Sequence, residues 1–348
     1  MPKTKKKAPF YKRHKKLLWI IGSIVLVIIA VMTLLKVTPW PGALLIRTVF
    51  SLDSAQEKQA LEKHAPEQSV TQLANQRYDS DGNLLDVYFP ANLENTDKQL
   101  PVVIWTHGGA WISGSKDDWA PYFKILAAKG VTVIAPNYTI APEKAYPTPL
   151  RQLNSAYDFL EKNRAKFHAD MDKVFLAGDS AGSQISSQMA AIITNPAYAD
   201  EVGVTPQLIS SQLKGTILFC GIYKMAGLTH PAPELPKIIG WGDDVAVWAY
   251  SGTKDFSDPI IRQMSPYYHV TSQFPPTFIS GGNADPLTEA QSKPFVKVLS
   301  DLHVPVSTLF YADDHQPKLP HEYQFNLDTE DGEEAMSRMV DFVTQYSR

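Results

Sequence analysis

The sequence predicts an α/β fold, a mostly parallel central sheet with helices on both faces, preceded by one transmembrane helix. Three observations predict it. Short apolar runs alternate with helix-length segments from Leu84 onward, nineteen uncharged residues run from Leu17 to Leu35, and a glycine-flanked serine stands between a strand-like and a helix-like segment.

The apolar run comes first along the chain. As a helix rising about 1.5 Å per residue, LLWIIGSIVLVIIAVMTLL is long enough to cross the hydrocarbon core of a bilayer once. Residues 1–16 hold Lys3, Lys5, Lys6, Lys7, Lys12, Arg13, Lys15 and Lys16 and no acid, whereas Lys36 and Arg47 are the basic residues soon after the run. That asymmetry places the N-terminus in the cytoplasm and the rest of the chain outside the cytoplasmic membrane. A cleaved signal peptide is the competing reading. The run exceeds the usual apolar core of such a peptide, and Val37-Thr-Pro-Trp-Pro41 offers no A-x-A-like site. The expected organisation is a basic cytoplasmic tail over 1–16, a signal-anchor helix over 17–35, a linker or cap over 36–76 and a catalytic domain over 77–348.

The alternation follows. Leu84 to Phe89, Val102 to Thr106, Val131 to Ala135, Val174 to Ala177, Thr216 to Phe219, Thr277 to Ser280 and Val306 to Tyr311 read as strands. Trp119 to Lys129, Pro149 to Phe167, Ala181 to Thr194 and Glu289 to Leu302 read as helices between them. Strand and helix in alternation give parallel strands covered on both faces. Residues 38–76 mix an apolar patch with a polar helical stretch from Asp53 to Lys63, and carry no catalytic pattern. The rhythm breaks between Ile222 and Tyr268, where Trp241, Trp248, Tyr250, Tyr267 and Tyr268 stand among glycines and prolines. These aromatics either pack a structural loop or wall a substrate pocket.

Charge narrows the partners. Residues 17–348 carry 25 basic against 36 acidic residues, and an acidic body argues against nucleic acid, which needs a basic face. One cysteine, Cys220, excludes an internal disulfide and any CxxC motif. It ends the apolar run from Gly215, which suits a buried core thiol. No cluster has metal-ligand spacing and no glycine-rich phosphate loop appears, so neither a metal nor a cofactor is expected.

The serine carries the chemistry. Gly178-Asp-Ser-Ala-Gly182 has the strand-turn-helix context of a G-x-S-x-G nucleophile elbow, in which small flanking residues let the chain turn so that Ser180 projects from the tip. Upstream, His107-Gly-Gly-Ala-Trp111 follows a strand at the position that supplies the oxyanion hole. Small residues there let backbone N–H groups approach a developing oxyanion, and the expected donors are Gly109, Ala110 and Ala181. His107 shapes this loop. The acid and base must follow the serine, in the order Ser, Asp or Glu, His. Asp285 stands just beyond the strand Thr277 to Ser280, where active sites of open α/β sheets lie, whereas Asp255 and Asp258 have no strand before them. Two histidines follow the last strand. His321, with apolar and aromatic neighbours, is the expected base, and His315, between acids and a glutamine, is the alternative.

Over residues 101–343 the chain resembles the hormone-sensitive-lipase-like branch of α/β-hydrolase esterases. His107-Gly-Gly-Ala is similar to its HGGG/HGGA motif, Asn137-Tyr-Thr-Ile-Ala-Pro-Glu143 to its YRLAPE segment, Gly178-Asp-Ser-Ala-Gly182 to its elbow and Asp285-Pro-Leu287 to its DPL motif. His321-Glu-Tyr resembles the HGF-type base motif but departs from it, and Gln316 to Pro320 looks like an insertion. The resemblance implies the α/β-hydrolase fold, a carboxylic ester hydrolase without cofactor, short acyl groups and an N-terminal cap. The partners expected are a small-molecule ester and, through the N-terminal helix, a membrane. An amidase or peptidase with the same triad, or a tethered binding protein without turnover, is the alternative, since a fold does not fix the leaving group.

Overall fold

A computed structural model describes residues 14–66, 69–229 and 237–348. Most of the expected basic tail, and the stretch 230–236 within the aromatic segment, lie outside the described residues. Helix α1 (Lys15–Val37) contains the apolar run and buries none of its residues in the protein. Among the described residues it is the one helix long and apolar enough to cross a membrane. After extended Thr38, helix α2 (Trp40–Glu62) starts with a proline in its first turn, where a missing N–H leaves no bond unmade.

The strands are β1 (Val70–Arg77), β2 (Leu84–Pro90), β3 (Leu100–Thr106), β4 (Thr132–Pro136), β5 (Ala169–Asp179), β6 (Leu213–Phe219), β7 (Thr277–Gly281) and β8 (Val306–Phe310). They form one eight-stranded sheet in the order β1-β2-β4-β3-β5-β6-β7-β8. The β1–β2 and β2–β4 pairs are antiparallel and the remaining pairs parallel. This is the α/β-hydrolase arrangement expected, with one correction. The sheet begins at Val70, inside the segment read as linker or cap. Strand β1 lacks clear apolar alternation and slips register between Leu73 and Gln76, with Asn75 at φ 55°. As an edge strand it pairs on one side, so its sequence carries little strand signal.

Alternation in the central strands divides the core. Val102, Ile104, Leu176, Leu218 and Ile279 pack with helices α4 (Thr148–Lys162) and α5 (Ala181–Thr194) on one face. Val103, Trp105, Phe175, Ile217, Phe219 and Phe278 pack with α3 (Ala120–Ala128) and α10 (Glu330–Tyr346) on the other. Each such side chain, fully buried, stabilises the fold by roughly 1.5–3 kcal/mol. The parallel register points the C-terminal ends of β3, β5, β6 and β7 at one edge, and the loops from those ends carry the candidate residues. Between β6 and β7 lie α7 (Lys237–Ser251) and α8 (Pro259–Gln263), and α6 (Pro196–Val202) and α9 (Lys293–Asp301) complete the helices.

Helix α2 closes over that edge. The Arg47 guanidinium donates from Nε to the Ile112 carbonyl at 2.7 Å, from Nη2 to the Ala141 carbonyl at 2.9 Å, and bidentately to Glu143 at 2.7 Å. Arg47 holds the Glu143 carboxyl below the usual carboxylate range. The chain just after α2 meets Asp328, through Lys63 Nζ at 2.6 Å and His64 Nε2 at 2.7 Å. The N-terminal segment is therefore clamped at both ends of α2 rather than hanging as a linker.

Candidate active site

Strand β5 ends at Asp179 and helix α5 starts at Ala181, so Ser180 makes the whole turn, with φ 50° and ψ −118°. A non-glycine residue adopts this strained conformation only when its surroundings force it, and such positions gather at functional sites. The force here is close packing of helix on strand. A Cβ at Gly182 would lie 2.0 Å from the Thr106 carbonyl oxygen, so only glycine lets α5 sit this near β3. The Ser180 N–H donates to the Phe219 carbonyl at 2.9 Å, which sets the serine beside the end of β6.

The loop after β3 lies against the elbow. The Gly108 N–H donates to Asp179 Oδ2 at 2.9 Å, and Trp105 Nε1 donates to Asp179 Oδ1 at 2.7 Å. Further on, Trp111 Nε1 donates to Gln184 Oε1 of α5 at 2.9 Å. Gly109, Ala110 and Trp111 all have positive φ, at 90°, 51° and 60°, and at Gly109 a Cβ would meet the Ser113 carbonyl at 2.5 Å. Two N–H groups of this loop, on Gly109 and Ala110, and that of Ala181 have no acceptor in the hydrogen-bond network of the described residues. The ring of His107 stacks on Tyr138, with centroids 4.3 Å apart, and its Nδ1 lies 3.0 Å from the Gly108 carbonyl. Burial pushes its pKa down. Its place is in the loop, away from Asp285.

Asp285 and His321 come together. His321 Nδ1 lies 2.9 Å from Asp285 Oδ2, while Asp285 Oδ1 accepts the Leu287 N–H at 2.9 Å. His315 instead faces Asp331, with Nε2 3.0 Å from Oδ1, and its ring rests on Tyr311. The stretch read as an insertion explains how the pair is held. Asn283 Oδ1 accepts the Leu319 N–H at 2.9 Å, and its Nδ2 donates to the carbonyls of Ala312 and His315 at 3.0 and 3.1 Å. Ala284 N–H donates to the Leu319 carbonyl at 2.9 Å, so the Asp285 loop and the His321 loop are sewn together.

Cys220 is buried and follows β6 directly, and its sulfur lies within 4.8 Å of the facing atoms of Asp285 and His321. This is also the group of described residues that could ligate a metal, but His321 and Asp285 have turned their facing atoms to each other. Burial pushes the thiol up to about 12, so at neutral pH it is uncharged. Burial also works against charge on the His321 ring. The opposing pull of Cys220 and Asp285 outweighs it and raises the ring well above the ordinary histidine value. With the thiol protonated, the pull that remains at neutral pH is that of Asp285.

Two carboxyls were not singled out by sequence reasoning. Glu322, the residue after His321, takes φ 62° where the HGF pattern has a glycine, and its Oε1 lies 3.8 Å from His321 Nε2. Burial raises its carboxyl to about 8, with the charge of Asp179 adding to the shift, and burial raises Asp179 to about 6. From α2, Glu57 faces the same group, and burial raises it to about 7. A cavity of about 580 Å³ lies here, lined by Glu57 and Leu61 of α2 and by Leu319, His321, Glu322 and Tyr323. The signal for Glu322 was in the sequence, as the departure from the HGF pattern. Of the aromatic segment, Tyr250 is buried and stacks on Trp111 at 5.3 Å, while Arg262 lies 4.0 Å over Tyr268. Tyr250 is therefore core.

Comparison with known proteins agrees with this fold. The BD-FAE family profile matches residues 85–299. An esterase of Gibberella moniliformis is 27% identical over 209 residues, 56% of this chain and 59% of its own length. The carboxylesterase NlhH of Mycobacterium tuberculosis is 30% identical over 213 residues, 58% of this chain and 61% of its own. The chain thus spans less than two thirds of these relatives. Among solved structures, esterase B of Lactobacillus rhamnosis, inhibited in that crystal, superposes with a TM-score of 0.75 at 22% identity, covering 87% of this chain and 95% of that one. An esterase of Pyrobaculum calidifontis gives 0.68 at 20% identity, over 88% and 94%. With the fold in agreement and the family profile matching more than half the chain, this protein belongs to the BD-FAE family, a hormone-sensitive-lipase-like family of α/β-hydrolases.

Proposed function

We propose that the chain is a membrane-anchored serine esterase that cleaves carboxylic esters through an acyl-enzyme on Ser180. The observation that carries the reading is a strained Ser180 turn at the end of β5 in a chain whose buried Asp285 is hydrogen-bonded to His321. In the proposed reaction His321 Nε2 takes the Ser180 proton as the hydroxyl oxygen attacks the ester carbonyl. The imidazolium is stabilised by Asp285, which also fixes the ring through Nδ1. The carbonyl oxygen becomes an oxyanion received by the N–H groups of Gly109, Ala110 and Ala181, the last at a helix N-terminus that favours negative charge. Collapse expels the alcohol with the proton from His321. Water, deprotonated by the same ring, then frees the acid. The esterase names of the relatives support an alcohol rather than an amine as leaving group. Short acyl groups enter the proposal on the family resemblance alone.

The reading extends to location: α1 crosses the cytoplasmic membrane, the basic tail stays inside and the catalytic domain faces outward. Protease added to intact spheroplasts should degrade the domain and spare a short N-terminal fragment. Full protection of the domain would reverse the orientation, and a mature N-terminus beyond residue 35 would make α1 a cleaved signal.

The test of the chemistry is an organophosphonate, which should label Ser180 alone, combined with two histidine variants on p-nitrophenyl acetate. His321→Ala should lose about a thousandfold or more in kcat and His315→Ala less than about tenfold. Reversed effects would give the base to His315, and label on another serine would end the assignment.

A further inference from the structure

We infer that the N-terminal half of α2 is itself seated in the bilayer surface, with Trp40, Leu44, Leu45, Val49 and Leu52 as its lipid-facing side chains. The inference rests on the reading of α1 as a membrane anchor and adds a second contact to it.

The observation is an exposed apolar stripe. Leu45 is 59% exposed, Val49 57% and Leu52 65%, within about 60° of one another around the helix, and Leu44 and Trp40 are exposed on the flank beside them. The opposite side packs on the domain, with Gly42 against Val245 and Trp241, Ala43 buried, and Arg47 holding Glu143. Over 40–52 the helix has no charge apart from Arg47, which is spent on that ion pair. Beyond it the exposed side turns to Ala55, Gln56, Gln59 and Glu62, so the apolar character stops in mid-helix. The stripe is about 20 Å long at 1.5 Å per residue. An exposed patch of this kind on a soluble protein marks a surface waiting for a partner.

Continuity with α1 identifies the partner. Only Thr38 and Pro39 separate the end of α1 at Val37 from Trp40. The junction is braced, because Lys254 Nζ donates to the Lys36 carbonyl and sits 3.6 Å over the Trp248 ring. The apolar end of α2 therefore starts where the span leaves the lipid, and a soluble protein would have no room to reach it. Tryptophans suit that depth. Trp19 and Trp40 bracket the run roughly 30 Å apart along a helix, the spacing of the two aromatic belts of a bilayer. A helix that is apolar on one side and anchored beside a span lies in the interface plane with that side in lipid. The other half of α2, through Glu57 and Leu61, lines the cavity at His321, so the same helix joins the lipid surface to the candidate site.

The test uses the full chain in proteoliposomes, with single spin labels on cysteines introduced at Val27, Leu45, Val49, Leu52 and Gln59. Buried Cys220 stays unlabelled under native conditions. Collision with oxygen and with an aqueous nickel chelate reports the surroundings of each label. The expected result is a deep Val27, labels at Leu45, Val49 and Leu52 at least fivefold more accessible to oxygen than to nickel, and Gln59 in water. With Val27 still deep, those three labels in water overturn the proposal. So do three labels shielded from both reagents, which would mean a protein partner or a second copy. A Val27 label in water would remove the anchor reading, and the proposal with it.

Discussion

Helices α1 and α5 are both free of charged residues in their central turns, yet they live in opposite surroundings. All fourteen residues of α5 are buried, and none of α1 is. The more polar of the two is the buried one. Helix α5 carries Ser183, Gln184, Ser186, Ser187 and Gln188, and each finds a partner inside: Ser183 Oγ meets the Gly178 and Phe219 carbonyls at 2.6 and 2.8 Å, and Ser186 Oγ the Ala177 carbonyl at 2.7 Å. Polar groups are tolerated in a core when every one is satisfied. Helix α1 does the reverse, exposing Trp19, Leu26 and Val37 with only local satisfaction, such as Thr33 Oγ1 to the Ile29 carbonyl at 2.8 Å. Mean apolarity therefore does not say whether a helix is buried by protein. What says it is where its polar atoms point.

Breaking α5 should be costly and breaking α1 should not. The largest effect is expected at the first residue before α5: Ser180→Ala should lower kcat by about a thousandfold or more while leaving the melting temperature unchanged. Gly182→Ala should come next. Its methyl would meet the Thr106 carbonyl, at the upper end of the ~1–3 kcal/mol for overpacking, whereas Gly22→Ala in α1 meets nothing and should cost nothing. Chemical denaturation of the two variants decides this pair. Ser183→Ala removes two buried hydrogen bonds, one to the Gly178 carbonyl and one to the Phe219 carbonyl, and should lose about 1–3 kcal/mol, while Thr33→Ala stays within about half a kcal/mol.

A smaller effect depends on pH. Glu322 and Asp179 have folded pKa values raised above their ordinary ones, so the unfolded chain releases their protons first as pH rises. Their contribution to stability is undiminished below about pH 4.5 and falls until about pH 8. Glu322→Gln should therefore melt close to the unaltered protein at pH 5 and a few degrees above it at pH 8. An equal difference at both pH values would mean that folding does not raise the Glu322 carboxyl. The smallest effect is expected from removing α1 altogether: a chain starting at Thr38 should keep its turnover of a soluble ester within about twofold.

Much of the molecule was legible where local chemistry dictates local shape. The elbow could be read because glycines on both sides of Ser180 leave few alternatives, and Asp285 because it directly follows a strand. Seven of the eight strands announced themselves by apolar runs. Strand β1 did not, since an edge strand with a bulge needs no apolar pattern. The choice between His321 and His315 was open in sequence because both lie in one loop, and it is the distant Asn283 that pins that loop. Arg47 and Glu143 are 96 residues apart, a distance across which no periodicity speaks. For the same reason the position of α2 over the sheet edge could not be read from the sequence.

One carboxylate connects nearly everything that was read separately. Asp179 takes a hydrogen bond from Trp105, another from the Gly108 backbone, and its charge acts on the Glu322 carboxyl. The loop after β3, the Ser180 turn and the His321 loop thus meet at a single side chain. Groups that share a partner do not contribute independently, so substitutions in the three loops should combine non-additively. A change at Glu322 alters the charge that Gly108 feels, although no bond joins them. The protein can thus be expected to mutate as a unit at this point: variation in one loop sets which changes the other two can accept.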